Sequence, residues 1–145
     1  MLCIAIKEFL FWKKKQLSKG GDQQSFTFLL DCIGGISTSE LNSLTINLEG
    51  KLYLKKNLDY LESIWDNYLL YSTPIQYLCG VTFWRDLKLR VTDKVLIPRP
   101  ETELVIDIVQ RIFGNKSQKL LFVELGTGSL RSSDIESISN GPSIY

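Results

Sequence analysis

A change of hydrophobic period at Gly80 limits the possible folds of this chain more than any other feature. Up to that glycine, apolar side chains recur every three or four residues; beyond it, Leu87, Leu89 and Val91 alternate with Lys88, Arg90 and Thr92. The first spacing builds helices that bury one stripe, and the second builds a strand that buries one face. The chain therefore passes from a helical part to sheet within a few residues, and Gly80 closes the last helix before the change.

Upstream, a first helix is predicted from about residue 3 to 18, ended by the Gly20-Gly21 pair. Asp22 is placed to cap a second helix, in which Phe26, Leu29, Leu30 and Ile33 repeat until Gly34-Gly35. Ser37, Thr38 or Ser39 caps a short third helix carrying Leu41 and Leu44. Residues 51–71 form the longest periodic run, with Leu54, Leu58, Leu61, Trp65 and Leu69 on one stripe and Lys55, Lys56, Asp59, Glu62 and Asp66 left to water. Pro74 opens one further turn of helix, because proline is tolerated where the backbone N–H has no partner.

Downstream, Val81–Trp84 is a partner strand for the alternating run, with Arg85-Asp86 as the turn. Pro98-Arg99-Pro100 follows, and each proline forces an extended backbone on the residue before it. From Glu101 to Phe113 the pattern is an amphipathic helix: Leu104, Ile108 and Ile112 share a face that Val105 and Val109 broaden. Glu101 and Glu103 complement the helix dipole in its first turn. Residues 120–125 are a near-continuous apolar run suited to the middle of a parallel sheet, ending in Gly126-Thr127-Gly128-Ser129. Residues 130–145 are rich in Ser and polar side chains and show no core face.

Composition removes several functions. With 145 residues, 44% hydrophobic and 23% charged, the chain has the make-up of a folded globular protein. A net charge of +1 gives no long-range attraction to nucleic acid or to an anionic membrane. Without histidine there is no Ser-His-Asp or Cys-His nucleophile pair, and the commonest transition-metal ligand is missing, so no metal site is expected. Cys3, Cys32 and Cys79 are far apart with no CxxC pair, which suggests neither a zinc knuckle nor a disulfide framework and makes a reducing cytoplasm the simplest location. Residues 1–12 are mostly apolar with Lys13, Lys14 and Lys15 after them, the reverse of a secretory signal. The run is also about half the roughly 20 residues that a membrane span needs.

The sharpest chemical signal is Glu124-Leu125-Gly126-Thr127-Gly128-Ser129 directly after a buried strand, since glycines there let the backbone turn tightly and approach a nucleotide-type cofactor. A dinucleotide site needs a third glycine where Arg131 stands, so NAD is disfavoured and a methyl donor of the S-adenosylmethionine type remains open. Three earlier stretches join this signal in order: Pro74-Ile75-Gln76-Tyr77-Leu78-Cys79-Gly80, then Phe83-Trp84, then Ile97-Pro98-Arg99-Pro100-Glu101-Thr102-Glu103. Together these four motifs resemble the release-factor glutamine methyltransferases, the HemK/PrmC family, over roughly residues 22–129. The Trp84-Arg85-Asp86 turn is especially similar to cyanobacterial members.

The resemblance implies a mainly α N-terminal helical domain over 1–79 that docks a peptide chain release factor, a β-hairpin linker over 80–92, and the first helix and strand of a Rossmann-like α/β methyltransferase domain over 93–129. It implies S-adenosylmethionine as cofactor, bound along Glu124, Gly126, Thr127, Gly128 and Ser129. The implied reaction is methyl transfer to the glutamine side-chain amide of the factor's Gly-Gly-Gln motif. Arg99 and Glu101 become substrate-side candidates, while Tyr77, Phe83 and Trp84 are expected in core or hinge packing.

The pattern then departs from the family. Leu130 stands where a glycine belongs, and a leucine lacks glycine's freedom at positive φ. The acid that holds the ribose hydroxyls and the Asn-Pro-Pro-Tyr motif that orients the amide are absent from these residues. The expectation is a truncated, inactive form with a divergent, disordered tail over 130–145 and no catalytic residue of its own. Three functions fit: an inactive methyltransferase by descent, a non-catalytic module that docks a release factor, or an unrelated small helical protein with an accidental glycine turn.

Overall fold

The computed structural model describes residues 2–44 and 48–113. Expectations for the strand over 120–125, the glycine loop and the tail fall outside the described residues. The chain divides into two compact units between Cys79 and Gly80, and each is taken by itself.

The first unit mixes helices with a small sheet. β1 (Leu2–Ala5) pairs antiparallel with β2 (Lys51–Leu54), in the register Leu2 with Leu54 and Ile4 with Leu52. This corrects two expectations. The first helix does not begin at residue 3 but follows β1 as α1 (Ile6–Ser18), and the long periodic run is split, because Leu52 and Leu54 point inward from a strand before α4 (Leu58–Tyr71) begins. The cause is cross-strand pairing, a contact between segments some fifty residues apart that satisfies backbone groups no local pattern reveals. The Ile6 N–H continues this join by donating to the Gly50 carbonyl at 3.1 Å.

Caps fix the remaining boundaries. α2 (Gln23–Leu29) starts at Asp22, whose carboxylate accepts from the Ser25 N–H at 2.8 Å, satisfying one of the helix's orphan donors. The helix runs into a wider π-turn over Leu30–Gly34, closed by Gly35 at φ +76. Ser37 begins α3 (Thr38–Ser43) with a reciprocal capping box to Glu40, so of three candidate caps the first serves. Asn57 caps α4 through the Tyr60 N–H, and Ser72 in the left-handed region ends it. α5 (Ile75–Cys79) follows Pro74 and stops at Gly80, φ +70.

The core is aromatic. Phe9, Trp12, Phe26, Trp65 and Tyr68 form a continuous chain of rings across α1, α2 and α4, with centroids 4.8–5.8 Å apart, and Phe26 meets Trp65 edge-on. Leu29, Leu30, Leu54, Leu61 and Ile75 complete it, each essentially inaccessible to water. Such burial contributes roughly 1.5–3 kcal/mol per large apolar side chain before the cost of ordering it. The Trp65 indole N–H donates to the Gln16 carbonyl at 3.2 Å, giving α1 a partner at its last turn. Gly21, at φ +81, must be glycine: a Cβ there would lie 2.6 Å from the Trp65 ring.

In the second unit, β3 (Val81–Trp84) and β4 (Leu87–Arg90) form an antiparallel hairpin with a two-residue turn at Arg85-Asp86. Thr82 and Leu89 face each other across it and are buried. A 3-10 turn over Pro100–Thr102 then leads into α6 (Glu103–Phe113), so the regular helix begins two residues later than its sequence suggests.

Candidate functional site

Two stretches singled out by sequence, the Phe83-Trp84 hairpin and the Pro98 to Glu103 segment, are joined by specific polar contacts within the second unit. Arg85 occupies the first turn position at φ +51, where a two-residue hairpin ordinarily takes glycine. That unfavourable backbone is held by contacts to the start of α6. The Arg85 N–H donates to a Glu103 carboxylate oxygen at 3.4 Å, and Arg85 Nη1 donates to the Glu103 carbonyl at 3.3 Å and to Asp107 Oδ1 at 2.7 Å. Glu103 and Asp107 stand one helical turn apart, so one guanidinium reaches both. The Asp107 carboxylate raises the Arg85 pKa above its ordinary value.

Beside this pair, Thr102 links three parts. Its hydroxyl donates to the Arg99 carbonyl at 2.6 Å and accepts the Trp84 indole N–H at 3.2 Å, while its own N–H also reaches the Arg99 carbonyl at 3.1 Å. Arg99 itself is extended, at φ −91 and ψ 140, as a residue before proline must be, and Pro100 takes the first position of the turn. The strand-to-helix corner is thus built from proline geometry and closed by one hydroxyl.

Arg99 and Glu101, the substrate-side candidates, are both exposed on this corner. Among the described residues neither side chain has a hydrogen-bond or ion-pair partner; Arg99 holds the corner through its carbonyl alone. An unengaged cation and carboxylate two residues apart on a fixed turn are available to a polar ligand. The cofactor-side candidates Glu124, Gly126, Thr127, Gly128 and Ser129 fall outside the described residues.

Trp84 is partly buried with its indole engaged, a packing role. Phe83, expected in core or hinge packing, is instead exposed, with the Lys88 ammonium 5.7 Å from its ring centroid. Its strand position decides this: Phe83 points away from the face that buries Thr82 and Leu89. Sequence reading missed Thr102, Glu103 and Asp107 as the hairpin's partners. The four-residue spacing of the two acids was the one available signal.

The apolar face of α6 is the other notable surface. Leu104, Val105, Ile108 and Ile112 are 62%, 59%, 54% and 51% exposed. Among the described residues no group of three His, Cys, Asp or Glu side chains is arranged to hold a metal, and no helix is long and apolar enough to cross a membrane.

Comparison with known proteins gives a consistent result. The chain is 39% identical over 124 residues to the release factor glutamine methyltransferase of Prochlorococcus marinus, covering 85% of this chain and 42% of that protein. It is 40% identical over 112 residues to the enzyme of the same name from Synechocystis, 66% of this chain and 38% of the relative. With the Gloeobacter violaceus protein it shares 32% over 122 residues, 81% and 41% of the two chains. No family model matches, and no solved structure does. The chain is therefore homologous to release factor glutamine methyltransferases and spans about two fifths of the length of the curated relatives it matches.

Proposed function

From this homology we propose that the chain serves S-adenosylmethionine-dependent methylation of the glutamine side-chain amide in the Gly-Gly-Gln motif of peptide chain release factors, in the cytoplasm where those factors act. The similarity along most of the chain to enzymes of that name carries the reading. In it, the first unit docks the factor, the hairpin links it to a Rossmann-like domain, and the apolar face of α6 is a packing surface for that domain's sheet. Glu124, Gly126, Thr127, Gly128 and Ser129 line the cofactor, and Arg99 and Glu101 face the substrate side.

Residues 1–145 alone do not complete the reaction. An amide nitrogen is a weak nucleophile, and its transfer step depends on hydrogen bonds that place it in line with the donor's methyl group. The Asn-Pro-Pro-Tyr motif that supplies them is not among these residues.

The test uses the 145-residue chain, a purified release factor and isotopically labelled S-adenosylmethionine. Calorimetry is expected to show heat with the factor, while label transfer stays at the level of the blank. Transfer of label to the factor's glutamine by this chain alone would overturn the reading of these residues as catalytically inactive. Absence of heat with the factor would overturn the docking role of the first unit. An Arg99→Ala, Glu101→Ala chain that binds the factor as tightly as the parent would remove those two side chains from the substrate surface.

A further inference from the structure

Arg85 is poorly accounted for by the turn it occupies. At φ +51 a glycine would make the same turn without crowding a side chain against the backbone. Its ion pair does not explain it either, because the Asp107 partner is half exposed and a pair that open to water adds little to stability. What the side chain supplies is reach. From the hairpin tip, Arg85 Nη1 bonds both the Glu103 carbonyl and the Asp107 carboxylate, one helical turn apart, and so fixes where α6 begins and how it is rotated.

A second link runs beside the first. The Trp84 indole N–H donates to the Thr102 hydroxyl, and that hydroxyl donates in turn to the Arg99 carbonyl. The turn over Pro100–Thr102 is therefore fastened to the hairpin at one end and closed on itself at the other. Arg99 and Glu101 are carried on that turn, both exposed, and their placement comes from a backbone held by its neighbours.

We propose that Trp84, Arg85 and Thr102 are positioning residues for the release factor: they hold the turn against the hairpin so that Arg99 and Glu101 meet the factor in one orientation. This role rests on the reading above, in which those two residues face the substrate side. A cation and a carboxylate two residues apart recognise a carboxylate beside a hydrogen-bond donor, and both contacts form together only if the backbone between them is fixed. A corner ordered before contact loses less freedom on binding, so the hairpin tip sets affinity without touching the factor.

Arg85→Gly keeps the turn and removes the reach, whereas Thr102→Val removes the second link and Thr102→Ser retains its hydroxyl. Each 145-residue chain is titrated with purified release factor in a calorimeter, and each substitution is repeated in an Arg99→Ala, Glu101→Ala background. Arg85→Gly and Thr102→Val are each expected to weaken binding roughly three- to tenfold, and to add no further loss once Arg99 and Glu101 are alanine, because residues acting through one another are not additive. Thr102→Ser is expected to bind as the parent does. In urea, the midpoint of Arg85→Gly is expected to stay at the parent's, since a glycine suited to this φ offsets the lost pair. Equal losses in both backgrounds would overturn the proposal. So would parent-like binding by Arg85→Gly and Thr102→Val, a Thr102→Ser chain as weak as Thr102→Val, or a urea midpoint that falls in step with affinity. Any of these leaves the docking of the factor intact. If instead the Arg99→Ala, Glu101→Ala chain binds as tightly as the parent, or the parent gives no heat, the reading of the substrate surface fails and this role fails with it.

Discussion

α4 and α6 each carry an apolar stripe at helical spacing, yet the two stripes end in different surroundings. On α4, Leu61 and Trp65 are wholly buried, and the Phe26 ring of α2 meets Trp65 edge-on. On α6, Leu104, Val105, Ile108 and Ile112 each keep half or more of their surface exposed, and the helix is held along its polar edge, where Glu103 and Asp107 take Arg85. A stripe at helical spacing reports that a helix has an apolar face, and it says nothing of what covers that face. The first unit fills its own core; the described part of the second presents a surface that another layer can cover, as the proposed methyltransferase sheet would.

Substitutions can break or sharpen this contrast. Trp65→Ala removes the ring that joins three helices and the donor to the Gln16 carbonyl, so it is expected to lower the unfolding free energy of the first unit by about 3–5 kcal/mol in a urea titration. A loss below about 1 kcal/mol would mean that the aromatic chain is not the core's main support.

Asp22→Ala is expected to cost about 1 kcal/mol at neutral pH, as lost helix caps do. Its pH dependence is specific. Hydrogen bonds from the Ser25 backbone and from the Tyr68 hydroxyl lower the Asp22 pKa to about 2 from an ordinary 3.8. A depressed carboxyl stabilises the fold fully above the unfolded value and loses that contribution as pH falls through the folded one. The difference between parent and variant should thus hold down to about pH 4 and shrink between pH 4 and 2. A difference that grows over that window would reverse the sign.

Smaller still is Thr102→Val, which deletes the acceptor for Trp84 and should cost roughly 0.5 kcal/mol in the transition of the second unit. Trp84 is the only tryptophan after Gly80, and its indole N–H proton resonance is the natural probe of that transition. Least of all, Ile108→Ala on the exposed face should change stability by less than roughly 0.5 kcal/mol. A loss of about 2 kcal/mol there would erase the comparison, because it would make that face as well covered as the one on α4.

Much of this was legible in the residues, and the failures share a cause. Asp22, Ser37 and Pro74 mark helix starts through chemistry confined to a few neighbouring residues, and the alternation at Leu87 and Leu89 is equally local. β1 and β2 were not legible, because their ladder joins positions some fifty apart, whereas β3 and β4 meet across a two-residue turn. At the candidate site, the motifs located the corner at Arg99 and Glu101, but the hydroxyl of Thr102 and the paired acids that secure the hairpin depend on which face of α6 turns toward Arg85. Helical spacing restricts that orientation without choosing it.

The wide turn over Leu30–Gly34 has one more implication. Its last carbonyl partner, Leu30, receives both the Gly35 and the Ile36 N–H, and Ile36 is buried directly afterwards. A π-turn is a helix carrying one surplus residue, so shortening the segment by one would restore ordinary helical bonding while swinging everything after it by about 100° around the helix axis. Ile36 would then leave the interior. The count of residues between Leu29 and Ile36, more than their identity, is what a descendant of this chain has to preserve.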